Sequence, residues 1–133
     1  MKTVLAHGVF DLLTPGHIQH LRAAKSLGDV LVVSVVPDEF VNKPHRPMIY
    51  DETTRALMLQ SLRCVDRVIL CGGPGPEKVI EELRPNIYVR GQDYLGKKMP
   101  ESFLLEKYGI EVRYNNFNYP RVTEVIERIR DSG

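Results

Sequence analysis

The start of the sequence joins an apolar run to a helical pattern through a loop that contains two glycines. Residues 4–6 are short and apolar, as in a buried parallel strand, and residues 18–27 carry apolar side chains at helical spacing. A helix N-terminus exposes unpaired backbone N–H groups and the positive end of the helix dipole, both of which favour an anion. Gly8 and Gly16 let the backbone approach such an anion closely. The sequence therefore predicts a phosphate site between its first strand and its first helix.

Strand-like and helix-like segments alternate along the rest of the chain. Residues 30–36 predict a strand covered on both faces. Shorter strands are expected at residues 65–70, 86–90 and 110–114, and helices at residues 51–62, 76–84, 101–108 and from residue 122 onward. Such alternation implies a parallel sheet with helices on both faces. We expect an α/β fold, a single Rossmann-like domain over residues 1–133 with a five-stranded parallel sheet.

Three residues are expected at helix ends. Asp51 can cap the second helix, Gly28 can end the first, and Gly109 can close the helix over residues 101–108. These residue types satisfy, or make room for, the backbone groups that a helix terminus leaves unpaired.

The composition excludes several classes of protein. The chain has 133 residues, of which 43% are hydrophobic, enough for one domain without a disulfide or a structural metal. Its 18 basic and 17 acidic residues give a net charge of +1 without long runs of either sign, so neither nucleic acid nor a membrane surface is an expected partner. Cys64 and Cys71 lack metal-ligand spacing and are expected to be reduced, packed thiols. Without a signal-peptide pattern or a membrane-spanning apolar run, we expect a cytoplasmic protein.

Most of the unexplained polar residues fall in loops that follow the predicted strands. In open parallel sheets, ligands bind beyond the carboxyl ends of the strands, where the strand order reverses. Four loops meet there, at residues 8–17, 38–49, 91–94 and 119–123.

Two common phosphate-binding motifs do not account for these loops. The spacing G-x-G-x-x-G is absent from the first strand-to-helix turn, which argues against a dinucleotide oxidoreductase. The spacing G-x-x-x-x-G-K occurs from Gly91 to Lys97, but Lys98 stands where a Mg²⁺-binding Ser or Thr belongs and Pro100 interrupts any helix start. We therefore do not expect a P-loop there.

The opening loop resembles the signature of a known family. Residues 8–17, Gly-Val-Phe-Asp-Leu-Leu-Thr-Pro-Gly-His, resemble the G-x-F-D-x-x-[H/T]-x-G-H signature of the cytidylyltransferase-like nucleotidyltransferase superfamily. Weaker similarities follow in the family's order at residues 38–40, 55, 65–66, 89–94 and 123. The resemblance covers essentially the whole chain. It is strongest to small bacterial cytidylyltransferases acting on glycerol 3-phosphate, and next to adenylyltransferases of heptose-phosphate metabolism.

The resemblance implies attack by an acceptor phosphate on the α-phosphorus of a nucleoside triphosphate, with release of pyrophosphate. A phosphate nucleophile is already anionic at pH 7, so alignment and charge stabilisation replace a general base. The first expectation is cytidylyl transfer from CTP to a small phosphorylated alcohol or sugar similar to glycerol 3-phosphate. The alternatives are adenylyl transfer from ATP to a sugar phosphate such as heptose 1-phosphate, and a non-catalytic nucleotide-binding module. Mg²⁺ is expected to be carried by the triphosphate, and a homodimer is implied by the resemblance alone.

Site residues follow from the matched positions. The resemblance implies catalytic roles for His17, Thr14 and Lys43, nucleotide-binding roles for Gly8, Val9, Phe10, Asp11, Gly16, Arg55, Gly91, Asp93, Arg121 and Thr123, and acceptor-binding roles for Asp38, Arg46 and Tyr94. His17 would donate to the phosphate oxygens where charge builds, and its alternative is a helix-capping or packed histidine. Thr14 stands where close relatives carry a second histidine, and its alternative is a turn threonine before Pro15.

Several of these residues have plainer alternatives. Lys43 and Arg46 either close over the triphosphate or are solvated loop charges, and Arg55 either binds phosphate or is a surface charge on a helix. Asp11 is expected to orient the loop rather than to bind a metal. Relatives carry an arginine a few residues before a Ser-Thr-Thr run at the last helix, whereas residues 120–123 are Pro-Arg-Val-Thr, so Arg121 would supply that charge from nearer the helix.

Overall fold

Strands and helices alternate from the first described strand to the last described helix. A computed structural model of the chain describes residues 1–41, 48–115 and 122–132. In chain order the elements are β1 (Thr3–Gly8), α1 (Pro15–Ser26), β2 (Val30–Val35), α2 (Glu52–Gln60), β3 (Arg67–Leu70), α3 (Glu77–Leu83), β4 (Ile87–Gly91), α4 (Ser102–Lys107), β5 (Glu111–Asn115) and α5 (Val122–Ser132). Short 3₁₀ turns lie at Asp38–Phe40 and Gln92–Tyr94.

The five described strands form one sheet in the order β3-β2-β1-β4-β5, and every pair is parallel. The predicted five-stranded parallel sheet is therefore confirmed. The chain runs from β1 outward to β3, then returns to the other side of β1 to form β4 and β5. The strand order thus reverses between β1 and β4, and this reversal opens a crevice at the carboxyl ends of those two strands.

The sheet separates two apolar layers because successive side chains of a strand point to opposite faces. On one face, which we call the first face, Val4 and Ala6 of β1 pack with residues of α1 and α2 such as Leu21 and Leu59. On the opposite, second face, Leu5 packs with residues of α3 and α4. The start of α1 and the side chains of the second face therefore approach the crevice from opposite sides of the sheet.

Two of the three predicted helix ends are confirmed. The carboxylate of Asp51 accepts a hydrogen bond from the backbone N–H of Thr54 at 2.8 Å, and Gly109 follows α4 with φ of +64°. Gly28 is not the expected left-handed cap, because it follows the cap residue of α1, Leu27, without adopting a positive φ. An added Cβ at Gly28 would lie 2.8 Å from the carbonyl oxygen of Lys2. The missing side chain therefore lets the backbone after α1 pack closely against the backbone before β1. Among the described helices, none has the length and apolar character needed to cross a bilayer.

Candidate active site

The loop after β1 is shaped by contact between a glycine and a phenylalanine. Phe10 has φ of +53°, a left-handed conformation that is unfavourable for a residue with a side chain. Its ring is buried and packs over Gly8, where an added Cβ would lie 2.9 Å from the ring atom Cε2. The same ring meets the imidazole of His17 edge to face, with 5.6 Å between ring centroids. Gly8 and Phe10 therefore set the path of the loop and one wall around His17.

Thr14 and His17 form a reciprocal cap at the start of α1. The backbone N–H of His17 donates to Thr14 Oγ1 at 3.4 Å, and the backbone N–H of Thr14 donates to His17 Nδ1 at 3.2 Å. Burial lowers the pKa of His17, although the backbone carbonyl of Leu12 acts in the opposite direction. Because Nδ1 accepts a hydrogen bond, the neutral ring carries its proton on Nε2. His17 is thus a capping histidine, as its alternative predicted, with an Nε2–H donor at the helix start.

Asp11 holds the chain in place at residues 49 and 50, just before α2. Its buried carboxylate accepts hydrogen bonds from the backbone N–H of Ile49, at 3.0 and 3.1 Å to its two oxygens, and from that of Tyr50 at 3.0 Å. These contacts confirm that Asp11 orients the loop. Its predicted contact with the nucleotide stays a prediction.

Arg55 is 1% exposed, so the alternative that made it a surface charge is wrong. Its Nη1 donates to the carbonyl oxygens of Val9 at 2.7 Å and Val36 at 2.8 Å, which lie just beyond β1 and β2. Nε donates to the carbonyl of Tyr50 at 3.2 Å, and Nη2 donates to Asp38 Oδ1 at 2.7 Å. Four of the five N–H groups of the guanidinium therefore bind described residues, and the second Nη2–H, which has no acceptor among them, is the one for the predicted phosphate contact.

Asp38 is bound on both carboxylate oxygens. Oδ1 pairs with Arg55, and Oδ2 accepts the backbone N–H of Glu52 at 3.1 Å, while the backbone N–H of Asp38 donates to Glu52 Oε1 at 3.0 Å. This reciprocal pair attaches the 3₁₀ turn to the start of α2. The geometry shows a positioning role that the sequence analysis missed, and the acceptor-binding role of Asp38 stays a prediction.

At the end of β4 the structure shows a buried cation, Arg90, which lies in the family-like stretch over residues 89–94 but to which the sequence analysis gave no role. Arg90 is 8% exposed, and the ring of Tyr94 covers its guanidinium carbon at 3.8 Å. Its Nη1 donates to the hydroxyl of Tyr88 at 3.2 Å, and that hydroxyl donates to Glu101 Oε2 at 2.6 Å. An arginine in an otherwise apolar strand, directly before the loop glycine Gly91, is the sequence signal that points to it.

A neutral histidine lies on the same face. His7 Nδ1 is 2.5 Å from Ser34 Oγ, and burial, followed by the charge of Arg90, lowers the pKa of His7 to about 3. Burial also raises the pKa of Tyr88, which keeps its hydroxyl protonated as the donor to Glu101. Around neutral pH, the His7 ring and the Tyr88 hydroxyl beside Arg90 are therefore both uncharged.

The structure brings the residues predicted at the first loop together with Asp38 and Arg55, and it places Gly91 and Tyr94 across β1 from them. Asp93 lies in the 3₁₀ turn and Thr123 in the first turn of α5, and only their backbones are described. Lys43, Arg46 and Arg121 lie outside the described residues. Within the described ranges, no group of three or more His, Cys, Asp or Glu side chains is arranged to hold a metal ion.

This fold and loop geometry belong to a known class. The family model described as cytidylyltransferase-like matches residues 5–128, and the chain belongs to this family of nucleotidyltransferases. Among its relatives, the bifunctional protein HldE of Helicobacter pylori strain J99 is 37% identical over 130 residues, which are 96% of this chain and 28% of that protein. The bifunctional protein HldE of Syntrophotalea carbinolica is 38% identical over 135 residues, 98% of this chain and 27% of the relative.

A solved structure shows the same architecture. The lipopolysaccharide core biosynthesis protein from Thermoplasma volcanium GSS1 superimposes with a TM-score of 0.71 at 35% identity, covering 91% of this chain and 99% of that one. The Rossmann-like α/β fold is thereby confirmed. Against the curated relatives, by contrast, the chain spans only about 28% of their length.

Proposed function

We propose that the chain transfers the adenylyl group of ATP to the phosphate of a sugar phosphate, such as heptose 1-phosphate, and releases pyrophosphate. The similarity to HldE proteins supports the adenylyl alternative better than cytidylyl transfer, which the sequence favoured first. A relative in lipopolysaccharide core biosynthesis supports a sugar-phosphate acceptor. The observation that supports a nucleotidyl transfer is the capped start of α1, where Nδ1 of His17 is used in the cap and Nε2–H is the ring donor that would serve a phosphate.

The start of α1 retains few donors, and these define the proposed phosphate contacts. Pro15 has no N–H, and the N–H of His17 is bound by Thr14 Oγ1. The N–H of Gly16 is then the first-turn donor for which the described residues supply no acceptor. Gly16 and His17 Nε2 can donate to oxygens of the α- and β-phosphates, where the helix dipole also favours negative charge. Two neutral donors and a dipole thus replace the second cation that a histidine at position 14 would bring.

The reaction needs no proton to be removed from the nucleophile. An oxygen of the acceptor phosphate forms a bond to the α-phosphorus, the bond from that phosphorus to the β-bridging oxygen breaks, and pyrophosphate leaves with the electron pair. Charge is redistributed toward the leaving oxygen and the non-bridging oxygens, where fixed donors stabilise the transition state. Alignment of the two phosphates by the crevice supplies the rest of the acceleration.

We propose that Mg²⁺ arrives with the triphosphate. The described residues offer no cluster of ligands for a protein-bound ion, and both oxygens of Asp11 already accept backbone hydrogen bonds. A cation of this kind binds phosphate oxygens readily and keeps several of its waters, which suits a site without a carboxylate cage. It would neutralise charge on the leaving pyrophosphate.

Pyrophosphate release over a matrix of substrates tests the proposal. ATP, CTP, GTP and UTP are each combined with heptose 1-phosphate, glycerol 3-phosphate and several hexose phosphates, with His17→Ala as the matched inactive control. We expect release with ATP and heptose 1-phosphate. A preference for CTP would return the assignment to cytidylyl transfer. Tight nucleotide binding without release in any combination would favour a non-catalytic nucleotide-binding module.

A homodimer and a cytoplasmic location are part of the same proposal. The homodimer rests on the resemblance, and the cytoplasmic location rests on the lack of a membrane-spanning apolar run in the sequence. Sedimentation velocity of the purified chain checks the first, because the molar mass derived from it is twice the monomer mass for a dimer. Cell fractionation checks the second.

A further inference from the structure

Arg90 is a buried cation whose guanidinium is only partly paired. Its Nη1 donates to the Tyr88 hydroxyl, but its Nε is buried and finds no acceptor among the described residues. A buried donor without an acceptor is costly in a folded protein, and most such groups in native structures are satisfied or have a functional explanation. The guanidinium is therefore built into the fold with binding capacity that the protein does not use.

The surroundings of Arg90 hold it in place without neutralising it directly. The nearest carboxylate in this network, Glu101, is reached only through the hydroxyl of Tyr88, and no described ion pair includes Arg90. His7 is neutral, since burial holds its pKa at about 3. Tyr94 stacks on one side of the guanidinium at 3.8 Å, which fixes its plane without accepting its N–H groups. Such surroundings suit a planar anion receptor more than a structural ion pair.

The position of Arg90 places it across the crevice from α1. The register pairs Val89 of β4 with Ala6 of β1, so Arg90 comes level with His7, directly before Gly8. The side chains of Arg90, Tyr88 and His7 share the second face of the sheet, whereas α1 packs on the first face. The donors of α1 therefore approach these strand ends from one side of the sheet, and the donors of Arg90 approach them from the other.

We propose that Arg90 binds the phosphate of the acceptor and thereby selects phosphorylated acceptors, an inference that rests on the proposed nucleotidyl transfer. In-line attack requires the entering phosphate and the departing pyrophosphate to lie on opposite sides of the α-phosphorus. With the triphosphate at the start of α1, the entering phosphate comes from the side of Arg90. Nη2 can donate to one oxygen of the phosphate, and the enclosed Nε can donate to a second once the ligand displaces the groups that cover it. Both contacts would reduce the repulsion between the two anions.

Steady-state kinetics of Arg90→Met and Arg90→Lys, with Tyr88→Phe as the matched control, test the proposal. We expect Arg90→Met to raise KM for the sugar phosphate roughly tenfold or more with KM for ATP little changed, and Arg90→Lys to restore part of that loss. Tyr88→Phe keeps the cation but breaks its link to Glu101, so KM for the acceptor should change much less. Equal losses in Arg90→Met and Tyr88→Phe would make Arg90 a structural member of the network. A rise confined to KM for ATP would move its contact to the nucleotide.

A binding measurement separates this proposal from the proposed function. The Nε–H resonance of Arg90, assigned by its absence in Arg90→Lys, is followed by NMR during titration with inorganic phosphate and, in parallel, with chloride. We expect saturable movement with phosphate and none with chloride. If the wild-type chain moves this resonance but releases no pyrophosphate in any substrate combination, the anion site stands and the proposed function fails. A resonance unmoved by phosphate would overturn the role of Arg90 even in an active enzyme.

Discussion

Arg55 and Arg90 are both buried at the carboxyl edge of the sheet, yet the protein treats them in opposite ways. Arg55 donates four hydrogen bonds to the protein, three of them to backbone carbonyls and one to a carboxylate. Within the part of the chain that the structure describes, Arg90 donates one hydrogen bond, to a hydroxyl, and its buried Nε has no acceptor. Burial of a cation therefore does not distinguish a structural residue from a ligand-binding one. The number of N–H groups that already have acceptors in the protein does distinguish them, because a fully hydrogen-bonded guanidinium has few donors free to bind a substrate.

The largest expected effect is the loss of folding stability when Arg55 is replaced. Arg55→Met removes the donor from the carbonyls of Val9 and Val36 and leaves Asp38 without its counter-charge. The Asp38 side chain is 42% exposed, so the loss of its counter-charge is screened by solvent, but each buried carbonyl left without its donor costs about 1–3 kcal/mol. We therefore expect the free energy of unfolding to fall by several kcal/mol. Urea denaturation measures it. Arg113→Met is the control, because its exposed pair with Glu111 should contribute less than about 1 kcal/mol. Similar small losses in both variants would contradict the structural role of Arg55.

The next effect concerns the donors of α1. His17→Ala removes the Nε2–H donor, and loss of one such donor lowers kcat by a factor of about 10² to 10³. Thr14→Ala removes a cap, so it should cost roughly 1 kcal/mol in stability and reduce kcat less than His17→Ala does. Pyrophosphate release and thermal unfolding of both variants measure the two effects. Equal losses of turnover would show that the Thr14 hydroxyl itself contacts the phosphates.

What could be predicted from the sequence was local. Apolar periodicity located every described strand and helix to within a few residues, because each element buries one face along its own length. The cap at Asp51 and the turn at Gly109 depend on neighbours three residues away or fewer, and both were predicted. Arg55, by contrast, gathers acceptors from three separate segments, and Gly28 lies against a carbonyl from the start of the chain. Such contacts exist only once the sheet has formed.

The site follows the same division. The loop over residues 8–17 was predicted from its strand-to-helix pattern and its family signature, both of which are continuous in sequence, and its contacts from Gly8 to Phe10 and from Thr14 to His17 are equally local. Arg90 was not, since its surroundings come from β1, β4, α4 and the turn after β4, and a single arginine in a strand does not reveal whether its donors are satisfied. The donor count that separates Arg55 from Arg90 therefore needs coordinates.

The third effect is a pH dependence of folding stability that comes from His7, which lies beside Arg90 on the second face of the sheet. His7 has a pKa of about 3 in the folded chain, below the value of 6.5 expected when unfolded. Between these values the unfolded chain binds a proton that the folded chain does not, so the stability His7 contributes is full above pH 6.5 and is lost as pH falls toward 3. The slope approaches about 1.4 kcal/mol per pH unit within that window. Urea denaturation at several pH values measures it.

His7→Asn is the variant that tests the source of this slope. Asparagine keeps a polar partner for Ser34 but does not titrate, so the pH dependence should become shallower. His17 contributes in the same direction, because burial also lowers its pKa, and some slope should remain. An unchanged slope would mean that His7 is already protonated in the fold, and Arg90 would then face a second cation.

The smallest effect closes the comparison of the two arginines. Arg90→Met replaces a buried guanidinium that has an unsatisfied Nε with an apolar side chain of similar length, while Tyr88 can still donate to Glu101. Removing a donor that lacks an acceptor costs little, so the free energy of unfolding should change by less than about 1 kcal/mol, against several for Arg55→Met. Urea denaturation of the two variants side by side decides this. A loss at Arg90 as large as that at Arg55 would mean that its link through Tyr88 to Glu101 stabilises the fold, and the unpaired Nε would then no longer point to a ligand.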